Sequence, residues 1–240
     1  MRAPHAQKNE LKPWLKKEWV IPPGKDAEFV AAMEDVLDVY QRPADPLRPM
    51  VCVDELHTQL IGETRVPIAA APGQVERVDY EYVRNGTANI FMAFEPLSAH
   101  RITKVTERRT RVDWAELVRD LVDVHYPTAE VIVLVLDNLN THSIASLYEA
   151  FEPEEARRIA RKIEIHYTPK HGSWLNMAEI ELSVLSRQCL DRRIEDKATL
   201  DKEVATWTTT RNASGKTVTW RFTTADARIK LRKLYPSIHD

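Results

Sequence analysis

The chain has 240 residues, 43% hydrophobic and 29% charged, which is enough for one sizeable domain with appendages and excludes a disordered composition. Its formal net charge of -2 argues against a protein that coats nucleic acid by bulk positive charge, although Lys and Arg do cluster locally. The only cysteines, Cys52 and Cys189, lie far apart and exclude a disulfide framework or a zinc cluster. With no signal-peptide core and no run of apolar residues long enough for a membrane span, we expect a cytoplasmic protein with no membrane partner.

The first 25 residues mix Lys, Pro and two tryptophans, which predicts an extended connector. Apolar side chains then recur at helical spacing from Asp26 to Tyr40, and this predicts an amphipathic helix with Asp26 as its N-cap. A stretch with three prolines, residues 41–49, leads into a strand predicted from Met50 to Leu56. We therefore divide the chain into a connector and helix, residues 1–48, and a main domain with a C-terminal helical extension, residues 49–240.

Several antiparallel strands are expected next. Residues Gln59 to Pro72 have poor periodicity and predict a surface loop, whereas Val75 to Val83 alternates in places. Asn85-Gly86 is a strong hairpin-turn signal before an apolar strand from Ala88 to Phe94. A further strand is predicted from Arg101 to Glu107, so that the sheet begins as a meander.

The second half of the domain predicts alternating helices and strands. A helix from Val112 to Val124 ends at Tyr126-Pro127, and the continuous apolar run from Glu130 to Leu136 is typical of a central strand buried on both faces. Further helices are predicted at Ser143 to Phe151, Pro153 to Arg161 and from near Leu175 through Leu190, with a strand at Ile163 to Tyr167. This order predicts an α/β, ribonuclease-H-like fold, in which three antiparallel strands are followed by parallel ones in a mixed central sheet flanked by helices.

Three acidic residues stand at informative places in this order. Asp54 lies on the first strand, Asp137 at the carboxyl end of the buried central strand, and Glu179 near the start of the helix that follows the last strand. If the two strands are neighbours, both aspartates can share a metal ion, and the longer glutamate can close the site from the side. Carboxylates suit Mg²⁺, and two such ions can activate the nucleophile and stabilise the leaving oxygen in phosphodiester chemistry.

Taken singly, each acid also has a simpler explanation. Asp137 with Asn138 could form a strand-terminating Asx turn. Glu55 competes with Asp54, but strand alternation puts the two side chains on opposite faces. Glu179 and Glu181 are two apart on a helix and point in different directions, so only one of them is expected to face the site.

The segments around these acids resemble a known family. Val53-Asp54-Glu55, Leu136-Asp137-Asn138 with His142, and Trp174-Leu-Asn-Met-Ala-Glu179 resemble the three motifs of mariner-like transposases, in particular the bacterial insertion sequence six-thirty family. The resemblance covers roughly Pro13 to Pro236. It implies a ribonuclease-H-like DDE catalytic domain with Asp54, Asp137 and Glu179 as catalytic residues and as ligands of two Mg²⁺ ions, with Mn²⁺ as a possible substitute.

The same resemblance implies an activity and partners. The activity is hydrolysis at transposon ends followed by strand transfer into target DNA, so the partners are double-stranded DNA, as transposon ends and target, and a second copy in a homodimer bound at the bacterial nucleoid. Two departures from the family are expected to matter. Residues 138 to 178, which are 41 residues, exceed the usual spacing between the second and third acid, and this indicates a longer helical segment around Phe151 to Arg161. The helix-turn-helix region that precedes the catalytic domain in the family is expected to be absent.

A loop before the last helix offers candidate DNA contacts. Lys170, His171 and Trp174 could hold a phosphate and stack on an unpaired base, and the alternative is that Trp174 is a packing residue. His142 and His171 could contact phosphate or position water, and the simpler alternative is that both are surface or capping histidines. Three other tryptophans are expected in the core: Trp114, Trp207 and Trp220.

Two other functions stay open on the sequence alone. One is a ribonuclease-H-like endonuclease that does not transpose, for example an enzyme that cuts junctions or RNA-DNA hybrids. The other is a truncated, non-catalytic partner that binds DNA or dimerises, which the expected absence of a recognition region would favour and the three intact acids oppose.

Overall fold

The computed structural model describes residues 21–22 and 24–236, so most of the predicted connector lies outside the described residues. The strands are β1 (Met50–Glu63), β2 (Tyr82–Glu95), β3 (His100–Thr106), β4 (Ile132–Leu136) and β5 (Ile163–Tyr167). The helices are α1 (Ala27–Tyr40), α2 (Arg111–Asp120), α3 (Ile144–Ala150), α4 (Pro153–Ala160), α5 (Met177–Gln188), α6 (Lys197–Ala213) and α7 (Thr224–Lys230). Among these described helices, none is both long and apolar enough to cross a membrane.

The five strands form one mixed sheet in the order β3-β2-β1-β4-β5. β1 pairs antiparallel with β2, and β2 pairs antiparallel with β3. β4 runs parallel to both β1 and β5, and Val133 lies between Met50 and Glu164. The predicted sheet, three antiparallel strands followed by parallel ones, is confirmed, and β1 and β4 are neighbours as the predicted site requires.

Each face of the sheet carries its own core, because successive residues of a strand point to opposite faces. Cys52 of β1 belongs to the core on the side of α1, α5 and α6, whereas Val51 and Val53 belong to the core on the side of α2, α3 and α4. Helix α1 contributes fully to the first core, since Met33, for example, is completely buried there. The alternation continues along β1, so that Asp54 and Glu55 leave the strand on opposite faces.

Local capping explains where several helices begin. Asp26 accepts a hydrogen bond from the Phe29 N–H at 2.9 Å, as the sequence predicted for α1. Thr110 and Asp113 form a reciprocal capping box at the start of α2. The helix predicted to Val124 continues beyond α2 as a single π-helical turn, Leu121–His125.

The predicted hairpin turn at Asn85-Gly86 is wrong. These two residues lie within β2, because Gln59 pairs with Thr87 and Ile61 with Arg84, so Asn85 and Gly86 together face the single residue Leu60. Gly86 has a φ of 104°, a conformation that favours glycine in a β-bulge as much as in a turn. The bulge also shows that the loop predicted from Gln59 was misplaced, since β1 continues through Glu63.

The true connection between β1 and β2 is residues 64–81, which we call the β1-β2 connection. It contains only two isolated bridges within the described chain, Ile68 with Arg77 and Ala71 with Gln74. Several large apolar side chains are exposed on it, including Val66 at 92%, Val75 at 81% and Tyr80 at 87%. This concentration of apolar surface is unusual for a segment facing water.

The C-terminal helices close one edge of the sheet. The side-chain amide of Asn212, on α6, accepts a hydrogen bond from the Arg101 N–H and donates one to the Arg101 carbonyl, both at 2.9 Å. Arg101 lies on the edge strand β3, so Asn212 pairs with the strand as a neighbouring backbone would.

Candidate active site

The two predicted aspartates are brought to the same level of neighbouring strands. Cys52 of β1 pairs with Val135 of β4. Two residues further along each chain, the same register leads to Asp54 and Asp137. Asp137 is the first residue after β4, and its side chain is 37% exposed. The carboxyl end of β4 thus lies beside β1 near Asp54, close enough for the charge of Asp137 to act on the Asp54 carboxyl.

The third predicted acid, Glu179, lies in the chain that follows β5, and its charge acts on the Asp54 carboxyl. The Gly172 N–H bonds the Pro169 carbonyl at 2.8 Å, and a turn of 3-10 helix, Ser173–Leu175, precedes α5. A Cβ atom at position 172 would lie 2.4 Å from Pro169 Cγ, so the tight turn requires glycine. Glu179 then lies in the first turn of α5.

The surroundings of Asp54 disfavour its ionised form. Burial raises the pKa of Asp54 to about 7, against the lowering effect of a hydrogen bond from the Glu55 N–H. The negative charges of Glu55, Asp137 and Glu179 raise the pKa further. The Asp54 carboxyl is therefore harder to ionise than that of a solvent-exposed aspartate.

A cation would fit the chemistry of this region, although the side chains are not already closed around one. Within the described residues, no three His, Cys, Asp or Glu side chains are grouped as metal ligands. The electrostatics nevertheless favour a divalent cation, because its charge would lower the pKa of Asp54 and relieve the repulsion among the carboxylates. Hard oxygen donors of this kind suit Mg²⁺ or Mn²⁺.

His142 is not a surface or capping histidine, contrary to the simpler expectation from sequence. Its side chain is 1% exposed, with Nδ1 2.6 Å from Asp137 Oδ1 and Nε2 3.3 Å from Glu55 Oε2. Its ring also packs against Trp114, with centroids 5.9 Å apart. Burial lowers the pKa of His142, but the hydrogen bond to Asp137 and the ion-pair contact with Glu55 outweigh burial and raise the pKa to about 9. His142 therefore links the second acid to the opposite face of the sheet.

Glu55 and Glu181, the two acids that competed with the predicted ones, serve other contacts. The Glu55 carboxylate is 4% exposed and lies between His142 and Arg109, whose Nη1 is 3.3 Å away. Glu181 is fully buried between Arg101 and Arg211. The expectation that Glu179 and Glu181 face different surroundings is confirmed.

The predicted DNA-contact loop divides into exposed and packed parts. Lys170 and His171 are exposed, and His171 adopts a φ of 64°. Trp174 is half-buried and stacks on Trp220 with centroids 6.5 Å apart, so packing accounts for it at least in part. A cavity of about 470 Å³ opens beside Asp137 and is lined by eight residues: Asp137, Asn138, Leu139, Thr168, Pro169, Lys170, His171 and Ser173.

Other sequence expectations near the site are mostly met. Trp114 and Trp207 are buried in the two cores, and Trp220 is partly buried against the first. Cys52 and Cys189 are both buried free thiols. The sequence did not reveal the contacts of Glu55 with His142 and Arg109, or the hydrogen bond that the Tyr40 hydroxyl donates to the Leu175 carbonyl. Both depend on residues distant in the chain. Strand alternation was the one available signal for Glu55, since it already placed that side chain away from Asp54.

Comparisons with known proteins agree with this architecture. A family model described as DDE superfamily endonuclease matches residues 49–201, which is 153 of the 240 residues. The chain therefore belongs to the DDE superfamily endonucleases. A comparison with curated proteins found no match.

Several solved structures share the fold at low sequence identity. The Mos1 mariner paired end complex with Mn is 14% identical with a TM-score of 0.54, and the match covers 84% of this chain and 62% of that one. The paired end complex with Mg is 12% identical with a TM-score of 0.56, covering 93% and 67%. The catalytic domain of Mos1 mariner transposase is 10% identical with a TM-score of 0.52, covering 81% and 90%.

These matches differ in how much of the other chain they cover. The chain spans 62%, 63%, 58% and 63% of four Mos1 complexes, so it matches only part of each. It spans most of the isolated Mos1 catalytic domain. The predicted ribonuclease-H-like fold thus corresponds to that of a transposase catalytic domain.

Proposed function

We propose that this chain is a DDE transposase catalytic domain that cuts DNA strands and joins them to target DNA. The observation that carries the proposal is the parallel pairing of β1 with β4 in an endonuclease-family domain, which places Asp54 beside the strand that ends at Asp137. The action of the Asp137 and Glu179 charges on the Asp54 carboxyl supports assigning the three acids to one site, as the resemblance to mariner-like transposases implies. Solved structures of similar fold include a Mos1 strand transfer complex.

In this proposal the three carboxylates hold the divalent cation. When bound, the cation would activate the attacking oxygen and neutralise the charge that develops on the phosphate. A bound cation would stabilise the ionised form of the Asp54 carboxyl, which burial and the neighbouring acids disfavour. His142 holds the Asp137 carboxylate through the 2.6 Å contact with Oδ1. Lys170 and His171, exposed beside Asp137, supply positive or hydrogen-bonding groups for the DNA backbone.

The proposal also includes the number of cations, a second copy of the chain and the group of elements to which the chain belongs. Two Mg²⁺ ions, with Mn²⁺ as substitute, fit a reaction with both an attacking and a leaving oxygen. A second copy of the chain fits the apolar side chains exposed on the β1-β2 connection. The Trp174-Leu-Asn-x-x-Glu179 segment favours the bacterial insertion sequence six-thirty group, acting on DNA at the nucleoid.

The test is cleavage of DNA by the purified chain and two variants. Wild-type protein with Mn²⁺ or Mg²⁺ should nick supercoiled plasmid and cut and join duplexes that carry the ends of the element. Asp137→Asn should reduce both reactions by at least about 100-fold, since even indirect partners of metal ligands contribute about 10- to 100-fold. Asp201→Asn removes an exposed carboxylate on α6 that pairs with Lys197, and it should leave the rates unchanged.

The outcomes separate the alternatives. Cleavage and joining that persist in Asp137→Asn would refute the proposed site. Wild-type protein that cuts RNA-DNA hybrids or junctions in preference to transposon ends would instead support a non-transposing endonuclease. Protein that binds DNA without metal-dependent cutting of any substrate would support the non-catalytic partner.

A further inference from the structure

Asn176 is the last residue before α5, and both halves of its side-chain amide are used. Its Oδ1 accepts a hydrogen bond from the Ala178 N–H at 3.0 Å, and its Nδ2 donates one to the Val53 carbonyl at 2.9 Å. The residue is 1% exposed, so both bonds are shielded from water. The partners fix the orientation of the amide, because an N–H requires an acceptor and a carbonyl requires a donor.

Capping alone does not require an amide. Helices α1 and α6 are capped by Asp26 and Asp196, and helices α2 and α7 by Thr110 and Thr223, all through acceptor oxygens. Ser, Thr or Asp at position 176 would cap α5 about as well. The donor half of Asn176 is therefore additional to the cap, and it reaches a strand 123 residues away in sequence.

The strand position that it reaches is next to the candidate site. Val53 immediately precedes Asp54, and the pairing of β1 with β4 ends at Cys52, one residue earlier. Asn176 in turn lies three residues before Glu179 in the first turn of α5. One side chain thus connects the strand that carries the first acid to the helix that carries the third.

A second contact supports the same junction. The Tyr40 hydroxyl, at the end of α1, donates to the Leu175 carbonyl at 2.6 Å in a buried position. It holds the residue before Asn176 from the side of α1. The entry to α5 is therefore fixed both to the strand and to the helix that covers it.

We propose that Asn176 is a positioning residue, whose amide donor sets the location of Glu179 relative to Asp54 and so the affinity of the site for its cation. This inference rests on the proposed function, because it assigns the two acids to one cation site. Asn176 itself contacts neither cation nor DNA in this proposal. Its effect is exerted through the backbone of β1 and the first turn of α5.

The experiment separates the hydrogen bond to the Val53 carbonyl from the cap of α5. Asn176→Ser keeps a capping oxygen but is too short to reach Val53 as well, whereas Asn176→Ala loses both functions. Asp196→Ser and Asp196→Ala make the matched changes at α6, whose cap bonds the Thr199 N–H at 2.8 Å. For each protein, Mn²⁺ binding without DNA is followed by electron paramagnetic resonance, plasmid nicking is measured against Mn²⁺ concentration, and the urea midpoint reports stability.

The substitutions at Asn176 and Asp196 are expected to differ in their effect on metal binding rather than in their effect on stability. Asn176→Ser leaves the buried Val53 carbonyl unpaired and should lower the urea midpoint, as Asp196→Ala should, while its Mn²⁺ dissociation constant, and the Mn²⁺ concentration for half-maximal nicking, rise about 10- to 100-fold. Asp196→Ala should lower the midpoint and leave Mn²⁺ binding unchanged. The inference alone is overturned if wild type binds Mn²⁺ and nicks plasmid, and Asn176→Ser does both equally well. Wild-type protein that neither binds Mn²⁺ nor cuts DNA would instead overturn the proposed function, and this inference with it.

Discussion

Glu181→Gln is expected to be among the most destabilising single substitutions in the domain. The Glu181 carboxylate lies 3.0 Å from Arg101 Nε and 2.9 Å from Arg211 Nη2. The side chains of Glu181 and Arg101 are both 0% exposed, and the Arg101 guanidinium also lies 4.5 Å from the centroid of the Phe94 ring. A glutamine at this position keeps the size of the side chain but leaves a buried guanidinium without its counter-charge.

The magnitude follows from the burial of the pair. Removing one partner of a buried ion pair costs about 3–5 kcal/mol, because the other charge is left uncompensated. Arg101 keeps hydrogen bonds to the Ala99 and Lys216 carbonyls, at 2.5 and 2.6 Å, so the lower end, about 3 kcal/mol, is expected. Against a total stability of about 5–15 kcal/mol for a typical domain, this is a large fraction.

Urea unfolding followed by tryptophan fluorescence measures this loss. Glu155→Gln is the matched control, because Glu155 pairs with Arg158 at 2.7 Å on the surface, with both side chains about two-fifths exposed (39% and 45%). The control should cost about 0–1 kcal/mol. A Glu181→Gln protein that loses no more than Glu155→Gln would refute the reasoning.

The same carboxylate predicts a pH dependence. Burial raises the pKa of Glu181, but hydrogen bonds from Arg211 and Arg101 outweigh burial and hold the pKa below its usual range. Because the folded pKa is lower than the unfolded one, which is about 4.3, the contribution is present above that pH and is lost as the pH falls through the folded value. The difference in unfolding free energy between wild type and Glu181→Gln should therefore shrink on acidification below about pH 4.

Three further outcomes follow from the candidate site. Gly172→Ala should lower the urea midpoint by an amount equivalent to about 1–3 kcal/mol, since its Cβ would lie 2.4 Å from Pro169 Cγ, and an unchanged midpoint would contradict the tight turn. Mn²⁺ at about 100 times its dissociation constant should stabilise wild type by about 2.7 kcal/mol in thermal or urea unfolding, and an equal gain in Asp54→Asn would argue against Asp54 as a ligand. Tyr40→Phe should cost about 1–3 kcal/mol because it leaves the buried Leu175 carbonyl unpaired, which urea unfolding would detect.

The sequence predicted best what local pattern determines. The apolar run before Asp137 became β4, and β5 has the predicted bounds of Ile163 to Tyr167. A strand buried on both faces leaves a continuous apolar signal that needs no knowledge of its partners. The order of these elements was then enough to predict the mixed sheet.

Local sequence patterns gave wrong predictions where the same backbone conformation occurs in two kinds of structure. Asn85-Gly86 predicted a hairpin turn because glycine adopts positive φ there, and the same property fits the bulge opposite Leu60. Only the pairing partner distinguishes the two, and the partner lies far away in sequence. His142 was misjudged for a related reason, since its burial depends on Glu55 and Trp114, which come from other elements.

The C-terminal helices change what counts as the smallest stable unit of this fold. The family match ends at residue 201, yet two residues beyond it bind to the matched part of the chain. Arg211 donates a hydrogen bond to the Glu181 carboxylate, and Asn212 donates one to the backbone of the edge strand β3. A fragment that stopped at 201 would expose an unpaired strand edge to other chains and leave Glu181 with one arginine fewer. The boundary of sequence similarity is therefore narrower than the boundary of the cooperative structure, and attempts to isolate the nuclease core should keep α6 in full.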